Sequence, residues 1–547
     1  MNKHENAEIV VIGGGAVGTA VACYLARDGA DVALVERGEY AWGSSRRCDG
    51  HAVTYDSAPG YFSQFCKIGQ DMFPEISREL PCDIEFEPEG LGLLVDDERD
   101  METVLANYEG KKNEGVDVTF WDRDELLRHE PHVSDKVIAC LNFNGDAKLN
   151  PMRLCFGLAE LARQKGAKAF NRTAVTGITV KNGAVQSVET SSGSIATKKV
   201  VLASGVWTPG LGDMVGVKVP IRPRQGQILV TERLDGLVSK NYAEFGYLAA
   251  KSGKKRPGVT PEMEQFGVAM VLEPSAAGTV LIGSSRRFVG MDTTPHPAVM
   301  QAIAQRAKHF FPSFSGVKLI RAYAGVRPAS PDGKPIISPT HVEGVYVAAG
   351  HEGNGIGLSL ITGKLVSQML RGETPLVDLA PLCIDRFGMN PPSLPSALPE
   401  RRKRSRRQPG NGHGSRGGPA GKARRTETGG PGSGPESGPP APAKAAFRQA
   451  LAGGRPPSGG KRAGRPQQAP RNGNGARAAM PGQRTAEGRP ERGVPLQGFP
   501  SLGSRPRDVP QTSSRSRFRH GNDSAGERFF HVQVRFSPPA RTGHHHL

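Results

Sequence analysis

The chain opens with a change of hydrophobic period. Glu8-Ile-Val-Val-Ile12 carries a continuous, β-branched apolar run, the pattern of a strand covered on both faces. It breaks into Gly13-Gly-Gly-Ala-Val-Gly18. From Thr19 to Asp28, Val21, Leu25 and small Ala and Gly positions fall on one side of a helix, and Gly29 ends it. Asp31-Val-Ala-Leu-Val-Glu36 reads as the next strand. The opening therefore predicts a βαβ unit.

Further along, the pattern predicts helices over Met101–Glu114, Pro151–Lys165 and Pro297–Phe311, and strands over Thr173–Val180, Ala184–Thr190 and Lys199–Ser204. A last strand, Gly344–Ala349, leads through a glycine-rich turn into a helix from Ile356 to Leu370. Globular patterning stops near Phe387. Beyond it Gly and Pro make up roughly 30% of residues without a period, a composition that cannot bury enough apolar surface to offset chain entropy. The expected architecture is α/β with a disordered tail.

Charge changes the picture only in the tail. The formal net charge is +18, which taken alone points to nucleic acid or a membrane surface. From Pro391 onward, however, about 29 Lys and Arg stand against about 8 Asp and Glu, which leaves about −3 for residues 1–390. Nucleic acid is thus not the expected partner of the folded part. Arg401-Arg-Lys-Arg-Ser-Arg-Arg407 is a basic cluster, read here as a solvated stretch of the tail. The 7 cysteines form no CxxC pair and no disulfide framework, so neither a metal site nor an oxidising compartment is expected. The few polar residues before Ile9 and the lack of any apolar run of about 18–20 residues argue against a secretory signal and a membrane span. A cytoplasmic protein is expected.

The candidate chemistry starts at the glycine turn. Gly13 permits the tight turn, Gly15 lets backbone approach a pyrophosphate, and Gly18 lets helix and strand pack closely. Ala16 and Val17 complete the turn, and the helix N-terminus faces the phosphates. Glu36, about 18 residues beyond Gly18 at the end of the next strand, suits the ribose hydroxyls of an adenosine. On these residues alone NAD and FAD remain equal.

Three distant segments narrow the choice: Val200-Val-Leu-Ala-Ser-Gly-Val-Trp207, Arg321-Ala-Tyr-Ala-Gly-Val-Arg-Pro328 running into Pro331-Asp-Gly-Lys-Pro335, and Gly350-His-Glu-Gly-Asn-Gly-Ile-Gly357. With them the chain resembles the D-amino-acid-oxidase/glycine-oxidase-like FAD enzymes from about Glu8 to Phe387. The resemblance implies a Rossmann-like FAD-binding domain built from separated segments, about 1–80, 145–220 and 325–388. An antiparallel-sheet substrate domain, about 81–144 and 221–324, is inserted between them. Together they make an oxidoreductase domain over 1–388, and 389–547 is the tail. It also implies Glu36 and Arg37 at the ribose, Ser44 and Ser45 at the pyrophosphate, and Val175 beside the adenine. Ala203, Gly205 and Trp207 would run along the cofactor, and Gly353, Asn354, Gly355 and Ile356 would lie against the flavin. A helix N-terminus at Ile356 would favour the negative charge that reduction places there.

By the same resemblance Arg327 takes the substrate carboxylate, a bidentate task suited to a guanidinium. His351 and His51 are candidates for tuning the chemistry. No metal is implied and no dedicated base is required. Glycine oxidases carry a tyrosine in the strand matching Ala269-Met-Val-Leu-Glu-Pro274, and this chain does not. Ser44–Gly50, Ile282–Arg287 and Gly350–Gly357 are more similar to the β subunits of sarcosine oxidase and of proline, hydroxyproline and opine dehydrogenases. The expected reaction is therefore oxidation of a secondary or cyclic amino acid, of the D-hydroxyproline, proline or sarcosine type, with electrons leaving through a partner subunit or acceptor. The rivals are an oxidase forming hydrogen peroxide from glycine, sarcosine or a D-amino acid, and a binding protein acting through its basic tail.

Overall fold

The computed structural model describes residues 3–247 and 259–393. Of the tail expected over 389–547, residues 394–547, with the Arg401–Arg407 cluster, lie outside the described residues.

One six-stranded sheet gathers both ends and the middle of the folded chain. Its order is Ile336–Pro339, Val345–Ala349, Lys199–Leu202, Ile9–Ile12, Val32–Val35 and Lys168–Phe170, all parallel except the Ile336–Pro339 edge. Ile9–Ile12 and Val32–Val35 are buried along their whole length, as their unbroken apolar runs require. The helices Ala16–Arg27 and Ser359–Leu370 pack tightly against one another. At Gly363 an added Cβ would stand only 2.7 Å from the Ala20 carbonyl oxygen, so a side chain there would force the helices apart.

The second large sheet has eight strands in the order Leu319–Ala329, Arg222–Arg233, Thr279–Gly283, Val271–Pro274, Asn241–Glu244, Leu91–Val95, Ala139–Phe143 and Val118–Trp121. It is antiparallel except for one parallel pair, Asn241–Glu244 with Leu91–Val95. A smaller four-stranded sheet contains Val175–Lys181, Ala184–Thr190 and Gly193–Ala196. Its edge is Lys3–Asn6, a polar strand that no hydrophobic pattern announces.

Two differences from expectation bear on the site. The strand Leu319–Ala329 runs unbroken through position 325, the expected segment boundary, so Arg327 stands within the eight-stranded sheet. The regular helix near the C-terminal end begins at Ser359, three residues after the expected Ile356. Between them the chain makes a compact turn, closed by Leu358 N–H donating to Asn354 O at 2.9 Å. Among the described residues no helix is long and apolar enough to cross a membrane.

Candidate active site

A cavity of about 440 Å³ opens at the carboxyl ends of the parallel strands, where such sheets bind ligands. Gly13 forms its floor with φ +125°, and an added Cβ there would stand 2.5 Å from Ala203 O. At Gly18 the added atom would stand 1.9 Å from Gly13 O, which is how the helix sits so close to the strand it follows. The Ala16–Arg27 helix has Gly15 as its N-cap and no side-chain cap of its own. Instead Ser45, from a neighbouring turn, accepts the Ala16 N–H at 3.1 Å.

Glu36 closes one end of this cradle. Its carboxylate accepts Gly14 N–H at 2.7 Å and Gly38 N–H at 2.8 Å, which fixes it beside the glycine turn. Arg37 stacks over Trp207 at 4.1 Å, while Ser44 is anchored by donating to Val326 O at 2.5 Å. A bare glycine backbone, a helix N-terminus and a carboxylate held at the strand end fit a diphosphate joined to an adenosine.

Cationic and anionic side chains crowd the opposite wall. Arg327 donates to Ser285 O at 2.9 Å. Across the hairpin, an added Cβ at Gly226 would lie 2.3 Å from Arg327 Nη1, so the guanidinium occupies a slot that exists because residue 226 has no side chain. Arg224 and Glu352 form an ion pair, and Glu352 also accepts Gly353 N–H at 2.6 Å. His351 borders the cavity but is committed to Thr362 Oγ1 at 2.9 Å. Burial pushes its imidazole down to about 3, so it is neutral.

Seventeen of the expected site residues border this one cavity: Gly13, Gly15, Ala16, Val17, Glu36, Arg37, Ser44, Ser45, Val175, Ala203, Gly205, Trp207, Arg327, His351, Gly353, Gly355 and Ile356. Three stand behind the wall. Gly18 is packed under the turn, and Asn354 turns away to donate to Asp56 Oδ1 at 3.1 Å. His51 is buried against Glu273, with Nε2 2.9 Å from Oε2. Burial alone would depress His51, but the Glu273 and Asp49 carboxylates outweigh it and raise it to about 9.

Sequence reasoning missed Asp49 on the cavity wall and, behind it, Glu273 and Tyr323. Asp49 borders the cavity, and Glu273 binds Gly50 N–H at 2.9 Å. Tyr323 shares the strand face of Arg327, at even spacing, and both carboxylates act with burial to keep it protonated. That alternation through Gly325 was the available signal. Burial also raises the Asp49 carboxyl, opposed by His51, reinforced by Glu273 and opposed by Arg327.

This geometry defines a dinucleotide-binding protein, and comparison with known proteins gives its family. The model described as "FAD dependent oxidoreductase" (DAO) matches residues 8–369, and the chain belongs to that family. It is 30% identical over 436 residues to the hydrogen cyanide synthase subunit HcnC of Pseudomonas protegens, covering 72% of this chain and 98% of that protein. Glycine oxidase of Bacillus subtilis is 26% identical over 385 residues, covering 68% and 95% respectively. Among solved structures, L-proline dehydrogenase from P. horikoshii superposes with a TM-score of 0.62 at 25% identity, covering 68% of this chain and 96% of that one. The protein is an FAD-dependent oxidoreductase.

Proposed function

We propose that the chain oxidises a secondary or cyclic amino acid, of the proline, hydroxyproline or sarcosine type, to its imine. The observation that carries this reading is the Arg327 guanidinium, held by Ser285 O over Gly226 on the cavity wall. A planar, fixed guanidinium binds a carboxylate bidentately and so sets the orientation of the carbon beside it. Bound in the cradle, FAD supplies the two-electron acceptor.

In this reading Glu36 and Arg37 hold the ribose, Ser44, Ser45 and the Gly13–Gly18 turn hold the diphosphate, and Val175 borders the adenine. Ala203, Gly205 and Trp207 flank the cofactor, and the Gly353–Ile356 turn supports the flavin. Burial holds the His351 pKa well below its ordinary value, and the ring is already hydrogen-bonded to Thr362, so it is too weak a base for proton abstraction. The chain's contribution is alignment and charge.

The HcnC relatives are named as subunits of a synthase, which supports a partner subunit as the destination of the electrons. The second reading, an oxidase producing hydrogen peroxide, draws on the relatives named glycine oxidase. The absence of a tyrosine from the segment Ala269–Pro274 favours the first. An anaerobic panel of secondary and primary amino acids, read by bleaching of the flavin and followed by peroxide and dye assays in air, tests both. Bleaching by proline or sarcosine types with poor peroxide yield is expected. Bleaching by no amine overturns the proposal, and robust peroxide formation by the isolated chain favours the oxidase.

A further inference from the structure

We propose that Asp49 determines specificity for an amine, its carboxylate accepting the charged N–H of a substrate whose own carboxylate is held by Arg327. The inference rests on the amino-acid reading above and supplies the second of the two contacts that reading needs.

Asp49 and Arg327 border the same cavity, one reaching it from the turn after Ser45 and the other from the substrate sheet. The segment carrying Asp49 is pinned at Gly50. Gly50 N–H donates to Glu273 Oε2 at 2.9 Å, and Gly50 O accepts Leu149 N–H at 2.9 Å. At Gly50 an added Cβ would fall 1.7 Å from Leu149 O, so this backbone lies flush against its neighbour. His51 and Ala52 then pair with Lys148 and Ala147. Held at its C-terminal side in this way, Asp49 keeps its place on the cavity wall.

The other carboxylates nearby are committed. Glu273 is taken up by Gly50 and His51, and Glu352 by Arg224 and Gly353. Asp49 is 27% exposed, and its ion-pair neighbour, His51 Nδ1, is 4.0 Å away, beyond hydrogen-bond distance. The Asp49 carboxylate takes its own backbone N–H, and since His51 faces Glu273 through its other nitrogen, Asp49 retains further acceptor capacity toward the cavity. A cation and an anion lining one cavity match an ammonium carboxylate and disfavour a plain carboxylic acid, whose ether or hydroxyl group gives Asp49 nothing charged to bind.

The test uses the full chain with FAD bound and two isosteric pairs: proline with tetrahydro-2-furoate, and sarcosine with methoxyacetate. Dissociation constants come from perturbation of the flavin spectrum for the oxygen analogues, and from the concentration dependence of anaerobic flavin reduction for the amines. Asp49→Asn is expected to weaken the amine of each pair about ten- to a hundredfold while the analogue changes less than about threefold. Asp49→Glu should recover part of that preference, and Arg327→Gln should weaken both members. Flavin content by absorbance reports folding for every variant. Equal effects of Asp49→Asn on amine and analogue, or no effect on either, overturn the proposal while leaving the amino-acid reading standing. If neither proline nor sarcosine reduces or perturbs the wild-type flavin, the reading falls and the proposal with it.

Discussion

Glu273 Oε2 lies 2.9 Å from His51 Nε2 and takes the Gly50 N–H with the same oxygen, also at 2.9 Å. One carboxylate thus fastens the turn that follows Ser45, and through it the cofactor cradle, to the eight-stranded sheet. The histidine supplies the compensating charge that makes burial of this carboxylate tolerable.

This pair predicts an alkaline loss of stability. His51 is raised from an ordinary 6.5 to about 9, so the folded state binds its proton more tightly than the unfolded chain. The stabilisation is fully present below about pH 6.5 and disappears as pH rises through about 9, on the order of 3 kcal/mol in all. Thermal midpoints between pH 6 and 10 should fall accordingly. Glu273→Gln keeps an acceptor for Gly50 but removes the charge, and should flatten that slope. An unchanged slope in the variant would reject the assignment.

The Gly226 slot makes a sharper prediction about binding. An alanine Cβ there would lie 2.3 Å from Arg327 Nη1, the far end of a flexible side chain that can swing away at little cost to the fold. Gly226→Ala should therefore leave the thermal midpoint and flavin content nearly unchanged. It should also raise KM for an amino-acid substrate about tenfold or more, because the bidentate geometry is lost. A large fall in the melting point with unchanged KM would show that the slot is structural only.

Much of the cradle was legible because its physics is local. Gly13, Gly18 and Glu36 act within one strand–turn–helix–strand unit, and spacing alone places them together. Arg327 and the Gly353–Ile356 turn were reached through resemblance, since no local rule brings residues so far along the chain to the same cavity. The Asp49–His51–Glu273 group was missed because its members are joined only by the meeting of two sheets. A lone Glu at the end of Val271–Pro274 reads as a surface acid until its strand is seen facing His51. The Lys3–Asn6 strand escaped for a simpler reason. It is a polar edge, held by pairing with Gly193–Ala196 and carrying no apolar periodicity.

His351 predicts the opposite pH sign. Burial lowers it from 6.5 to about 3, so the folded state excludes a proton that the unfolded chain accepts. Its stability contribution is present above about pH 6.5 and is lost as pH falls toward about 3, on the order of 5 kcal/mol. His351→Gln, which can still bond Thr362, should soften the acid transition in thermal midpoints between pH 4 and 7. The kcat/KM profile of the wild type should show no ionisation attributable to this residue between pH 5 and 9. A limb in that range that His351→Gln abolishes would restore it as an acid–base group.

Gly18 tests the cradle itself. An alanine there would place a methyl group 1.9 Å from Gly13 O, and because both sides of that contact are backbone, neither can swing aside. The helix must lift from the strand, which costs about 1–3 kcal/mol or more in overpacking and withdraws its N-terminus from the diphosphate site. Gly18→Ala should purify nearly colourless and regain little flavin absorbance when incubated with FAD, with a lowered melting point. Gly177→Ala is the matched control. Its added Cβ meets Glu189 Cβ at 3.7 Å, an ordinary contact, and flavin content should match wild type. Full flavin occupancy in Gly18→Ala would mean that the close approach of helix and strand is not what holds the cofactor.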